Sequence, residues 1–274
     1  MALNRSKEKI MSTKFNSKTW VTEPMPNADE RFSITHRQEL LPNFTQAKLA
    51  QAKVGIAGAG GLGSWTAAAL ARLGVGVIEI YEPDVCEPTN FHRQLYYPKD
   101  TFKSKAFQMV KNIAPHCTGK TRITGFAHRF EELLAAGFQA EVDVLFMGLD
   151  NNQGRRIAAA YCYAKNIPLV NVAVDGRAEH AHIMIQETGK ACIACMNPGY
   201  LQDRKAPCFV PSCIDCLFVA DGLALFALTS VLLARPRNWN FRNIHLAGFV
   251  NDSPKLIDRR PNCPLCSNLD VKFL

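Results

Sequence analysis

"KVGIAGAGGLGSW", residues 53–65, decides how the rest of the chain is read. An apolar run leads into Gly58-x-Gly60-x-x-Gly63, and the alanine-rich stretch "TAAALARLG" follows. The order is strand, tight turn, helix. Small residues at the turn let backbone N–H groups at the start of a helix come close to a phosphate. The spacing fits NAD, FAD or ATP alike, so the choice among them falls to residues further along the chain.

Strand and helix patterns alternate around this turn. "NFTQAKLAQAK" (43–53) suits a short helix before it, and "VGVIEIYE" (75–82) reads as a strand ending in an acid. Then come a helical "SKAFQMVKNIA" (104–114), a buried strand "VDVLFMGLD" (142–150), a helical "GRRIAAAYCYAKN" (154–166) and a strand "IPLVNVAV" (167–174). "AHIMIQE" (181–187) alternates as a strand with one wet face does. This alternation predicts an α/β fold, a Rossmann-like, mostly parallel sheet covered by helices, with an antiparallel C-terminal half. Residues 1–30 are polar and aperiodic and read as a flexible N-terminal arm, leaving 31–274 as one domain.

Composition narrows the class. Of 274 residues, 47% are apolar and 20% charged, which suits a globular chain with a large core. The net charge of +8 comes from scattered basic residues and not from a run, so no nucleic-acid partner is expected. The most apolar stretch, "CLFVADGLALFALTSVLLA" (216–234), carries Asp221 and reads as a buried helix; no membrane span is expected. The N-terminus has no signal-peptide pattern, which points to the cytoplasm and makes the ten cysteines metal ligands or reactive thiols rather than disulfides.

The residues after the second strand separate the nucleotide chemistries. Glu82 stands about 20 residues past the glycines, where a carboxylate can accept from ribose hydroxyls. Up to that point the chain reads as a nicotinamide-dependent oxidoreductase. "EPDVCEPTNFHRQLYYPKDTFKSK" (82–105) then adds Asn90, Arg93, Gln94 and Lys105. A hydride-transfer enzyme has no use for these extra polar and cationic groups, whereas an enzyme acting on a triphosphate does, because Arg and Lys neutralise charge on phosphorus and on the leaving pyrophosphate. Cys192 and Cys195 ("CIAC") with Cys263 and Cys266 ("CPLC") form two CxxC pairs, the donor set of a structural Zn²⁺ site.

In combination, "GAGGLGS" (58–64), the E-x-D…N-x-x-RQ pattern (82–94), Lys105, "GLDN…R" (148–155) and the two CxxC pairs resemble the ThiF/MoeB/HesA family, prokaryotic relatives of ubiquitin-activating enzymes. The resemblance runs over roughly residues 31–268. It implies ATP over Gly58, Gly60, Gly61 and Gly63, with Glu82 as the ribose acid where the family more often has Asp. Asp84, Asn90, Arg93, Gln94, Lys105 and Asn151 would complete the nucleotide set, and Asp150 would hold Mg²⁺. It further implies adenylation of the C-terminal glycine of a small ubiquitin-like or sulfur-carrier protein ending in Gly-Gly. "ITHRQELL" (34–41) resembles an N-terminal element whose arginine, here Arg37, reaches the ATP of the other subunit of a homodimer. Cys208, Cys213 and Cys216 fall where relatives carry a loop cysteine that accepts the acyl group, and Cys213 aligns nearest. Adenylation of a small peptide, or a nicotinamide-dependent oxidoreductase, are the alternatives.

Overall fold

The computed structural model describes residues 7–9, 15–26, 32–203, 211–248 and 252–267. Among them nine strands form one sheet: β1 (Lys7–Lys9), β2 (Ser17–Val21), β3 (Lys53–Ala57), β4 (Val77–Tyr81), β5 (Arg122–Phe126), β6 (Val144–Met147), β7 (Leu169–Val174), β8 (His180–Gln186) and β9 (Phe241–His245). Their spatial order is β1-β2-β5-β4-β3-β6-β7-β8-β9. The five central strands, β5 to β7, pair in parallel, with registers such as Val54↔Ile78 and Val54↔Val144. Both flanks are antiparallel: β7–β8–β9 at one edge and β5–β2–β1 at the other.

Alternation along the strands divides the core in two. Val54, Ile56, Ile78, Ile80, Val144, Phe146, Val170 and Val172 face a cluster shared with α3 (Gly61–Arg72) and α8 (Ile214–Leu232). The intervening Ala57, Tyr81, Leu145, Met147 and Leu169 face α5 (Phe130–Ala135) and α6 (Asn152–Ala164). Helix α4 (Lys105–Ile113) packs on the α3 side through Met109, Val110 and Ile113, with Lys111 exposed and Lys105, Gln108 and Asn112 buried. Short helices α1 (His36–Glu39) and α2 (Gln46–Gln51) precede the glycine turn, and α7 (Ile193–Met196) follows β8. Helix α8 is long and apolar enough to cross a bilayer by composition alone. Here it lies on the sheet, with Ala220, Ala224, Ala227 and Leu228 buried in the larger core cluster.

The N-terminal stretch departs from the sequence expectation, since both β1 and β2 belong to the sheet. Ser17–Val21, read as part of a flexible arm, is a strand against β5, with Trp20↔Ile123 in register. Trp20 is only 8% exposed, and the Thr19 and Thr124 hydroxyls are hydrogen-bonded at 3.0 Å. Burial of one indole and a full ladder of backbone pairs offset the cost of ordering a polar pentapeptide.

Candidate active site

The chain runs from β3 to β4 on one side and returns to β6 on the other, so the sheet has its switch point beside β3. Crevices outside the C-terminal ends of strands form at such points. A cleft of about 490 Å³ opens there, a size suited to a nucleotide.

Its floor is the glycine turn. Gly58 has φ +91°, a left-handed conformation costly for any residue with a Cβ. A side chain at Gly63 would run into the carbonyl oxygen of Gly58, which is how the helix start comes so close to the strand end. Helix α3 begins at Gly61 with Gly60 as its N-cap and no side-chain cap, so the first-turn N–H groups are left to a ligand.

Glu82, buried just past β4, accepts from the Ala59 N–H at 2.8 Å and the Asp84 N–H at 3.0 Å. Desolvation pushes its pKa up, and the nearby Lys105 cation acts against that shift. Glu82 therefore clamps the glycine turn to β4 as well as lining the cleft. Tyr96 reinforces the clamp by donating its hydroxyl to the Ala59 carbonyl at 2.9 Å.

Lys105 is the first residue of α4 and is only 7% exposed. Its Nζ lies 3.4 Å from Asp84 Oδ2, and its backbone N–H donates to the Asp84 carbonyl at 2.8 Å. The loop between them is pinned by the Cys86 N–H donating to the Lys103 carbonyl at 2.8 Å. Asn90 accepts from the Glu87 N–H at 3.0 Å. Arg93 donates to the Thr89 carbonyl at 2.7 Å, and burial lowers its pKa. Gln94 is buried at the cleft edge with Oε1 lacking a hydrogen-bond partner, a polar atom left for a bound molecule.

Asp150 and Asn151 reach the cleft from the loop after β6. Asn151, and not Asp150, caps α6: its Oδ1 accepts from the Gly154 N–H at 2.6 Å. The side chain of Asn151 is thus committed to the helix, while Asp150 stays exposed on the cleft wall. Sequence reasoning passed over Tyr81, Arg129, Phe130 and Glu131, which line the wall beyond Glu82. They follow or end β4 and β5, and recognising "RITGF" (122–126) as a strand beside β4 is the signal that would have found the last three.

Two expected residues stand apart. Arg37 sits exposed on α1 and is not among the residues around this cleft. Cys213 is the exposed N-cap of α8. Its neighbours Pro211 and Ser212 line a second cavity of about 340 Å³, which shares Gly61, Arg93, Gln94 and Asp150 with the first. Cys208 lies outside the described residues.

The four CxxC thiols come together although about 70 residues separate the pairs. Cys192 Sγ lies 3.7 Å from Cys195 and 3.5 Å from Cys263, and Cys195 lies 3.6 Å from Cys266. All four are buried, with their sulfurs within 4.8 Å of one another. Thiolates about 2.3 Å from a tetrahedral zinc have edges of about 3.8 Å, so the donor set fits that ion. The Arg260 N–H donates to Cys195 Sγ at 3.4 Å, the outer support such ligands commonly have.

A family model described as "ThiF family" matches residues 34–265. The chain belongs to the ThiF family. It is 31% identical over 201 residues to the adenylyltransferase and sulfurtransferase MOCS3-1 of Zea mays, covering 68% of this chain and 42% of that protein. Against ubiquitin-like modifier-activating enzyme 5 of Xenopus laevis, identity is 27% over 181 residues, covering 62% and 44%. The chain thus spans about half the length of the curated relatives it matches. Among solved structures, E. coli MccB with ATP superposes with a TM-score of 0.69 at 20% identity, over 81% of this chain and 69% of that one. That likeness shares the fold.

Proposed function

We propose that this ThiF-family chain is an adenylyltransferase that binds Mg·ATP in the glycine cleft and transfers AMP to the C-terminal carboxylate of a small ubiquitin-like or sulfur-carrier protein. The observation that carries this is the set of groups on one cleft: a helix start with open N–H groups, buried Lys105, Arg93, Gln94 with an orphaned acceptor, and exposed Asp150. A hydride-transfer enzyme leaves Lys105, Arg93 and Asp150 without work. The relatives named above carry adenylyltransferase and modifier-activating names, which supports the same reading.

The nucleophile is a carboxylate, already ionised at neutral pH, so no general base is needed. Its oxygen attacks the α-phosphorus and pyrophosphate leaves. Lys105 and Arg93 offset charge on the phosphates, and the α3 N-terminus holds the chain of phosphates in line. Carboxylates outnumber cations in this cleft: Glu82, Asp84, Glu87, Glu131 and Asp150 against Arg93, Lys105 and Arg129. A triphosphate therefore enters with a divalent cation, and exposed Asp150 is the group to hold it; bound Mg²⁺ neutralises the phosphate oxygens. The second cavity, which shares lining residues with the first, takes the extended tail of the substrate and brings it towards Cys213, the acceptor in any onward acyl transfer. Arg37, away from its own cleft, serves the cleft of a second copy in a homodimer. The compartment that fits this chemistry is the cytoplasm.

Solved structures of similar fold hold MccB together with MccA, and a small peptide is the second substrate class. The test is transfer of labelled AMP from ATP to a Gly-Gly-ending carrier or peptide, with pyrophosphate counted. One pyrophosphate per adenylate supports the proposal. Absence of both products with every carboxylate substrate tried contradicts it.

A further inference from the structure

Cys213-Ile214-Asp215-Cys216 places a CxxC motif across the start of α8, and adenylation gives it no role as a pair. Cys213 is the N-cap, with extended backbone (φ −125°, ψ 147°), and its carbonyl accepts from the Leu217 N–H at 3.4 Å. Cys216 lies one turn on and is fully buried. Positions three apart across a first helical turn put their Cα atoms ~5–6 Å apart, inside the window a disulfide requires. The two thiols differ as an attacking and a resolving cysteine do. Cys213 is exposed at the helix start, whereas Cys216 is fully buried and burial pushes its pKa up to about 11. Asp215, between them, takes a hydrogen bond from the Cys213 thiol and accepts from the Cys216 N–H at 2.7 Å.

We propose that Cys213 and Cys216 are a thiol–disulfide exchange pair, oxidised reversibly by low-molecular-weight disulfides such as glutathione disulfide. The Cys213 thiolate attacks one sulfur of that disulfide, forming a mixed disulfide and releasing one thiolate. Cys216 then loses its proton to solvent and attacks Cys213 Sγ, expelling the second thiol. Two cysteines are oxidised and one small disulfide is reduced to two thiols. This chemistry differs from that of the other CxxC pairs, whose four sulfurs converge on one centre and are committed to one another. Where the adenylation reading also holds, oxidation withdraws the exposed thiol at the second cavity and stops acyl transfer to it while nucleotide binding continues.

The test needs no nucleotide, so its failure leaves the adenylation proposal standing. The full-length, metal-loaded chain is equilibrated with glutathione and glutathione disulfide, quenched with an alkylating agent, digested and read by mass spectrometry. The expected product is an internal disulfide between Cys213 and Cys216. Cys216→Ser should instead accumulate a glutathione adduct on Cys213, and Cys213→Ser should lower the rate of reaction at Cys216 by at least about tenfold, since a buried, protonated thiol attacks slowly. Cys208→Ser should leave the wild-type product unchanged. Failure of the wild-type chain to form the disulfide, pairing of either residue with Cys208, or first attack at Cys216 each overturns the proposal. The wild-type readout stands even where a variant folds poorly.

Discussion

Replacing Cys263 with serine tests the metal reading with a magnitude taken from the fold. The Cys192–Cys263 contact joins residues 71 apart in sequence, and a cross-link closing a loop of that size is worth about 4 kcal/mol in denatured-state entropy. For a domain of this size, where each kcal/mol moves Tm by about 2–4 °C, Cys263→Ser should lower Tm by roughly 8–16 °C. The loss should appear with loss of the metal, because a serine hydroxyl is a poor zinc ligand and three buried thiols remain without their charge partner. The assay is metal content per chain beside thermal unfolding, on wild type, variant and chelator-treated protein. Chelated wild type should melt where the variant melts, and zinc should restore only the wild type. A metal-free wild type with an undiminished Tm, or a variant that melts like the wild type, would refute the site.

Three further outcomes follow from the packing. Asp221 is buried in α8, with Oδ1 accepting from the Thr66 hydroxyl at 2.9 Å and Oδ2 without a partner; desolvation raises its pKa well above the ordinary carboxylate value. A raised folded-state pKa stabilises the fold most below the unfolded value of 3.8. That stability is lost as pH rises through the folded value, at up to about 1.4 kcal/mol per pH unit. Asp221→Asn should remove this slope in urea titrations across pH, and an unchanged slope would show that another group causes it. Gly63→Ala drives a methyl into the Gly58 carbonyl, so nucleotide affinity should fall by at least about tenfold; unaltered affinity would mean the turn is not the phosphate floor. Asp150→Ala should abolish Mg²⁺-dependent adenylate formation while Tm holds, since Asp150 is exposed and does not cap α6. Full activity there would remove Asp150 from the metal's shell.

Much of this architecture was legible because its signals are local. The glycine turn needs three small residues at fixed spacing, and the central strands alternate between two buried faces, so "VGVIEIYE" and "VDVLFMGLD" declare themselves without tertiary knowledge. The cysteine pairs were legible as donors, although sequence does not bring Cys192 to Cys263. What stayed hidden depends on distant partners. Ser17–Val21 is a strand only because β5 offers an edge about a hundred residues away and a place for Trp20. "FRNIH" (241–245) is likewise a strand by virtue of pairing with β8. At the site, cap identity is not legible locally: Asp150 and Asn151 are both good N-caps, and in the fold Asn151 takes the role. Glu82 was read as a ligand for ribose, and its two backbone N–H bonds show that it also shapes the turn it stands beside.

The central claim, that the cleft is built for ATP, is tested most directly by equilibrium binding of Mg·ATP against NAD⁺, on wild type and on Lys105→Ala. Lys105 is almost wholly buried at the cleft, and a charge-assisted hydrogen bond to phosphate is worth about 1.5–3 kcal/mol. Wild type should prefer Mg·ATP, and the substitution should weaken that binding about 10- to 100-fold while changing NAD⁺ binding little. Preference for NAD⁺, or no binding of either nucleotide, would contradict the account.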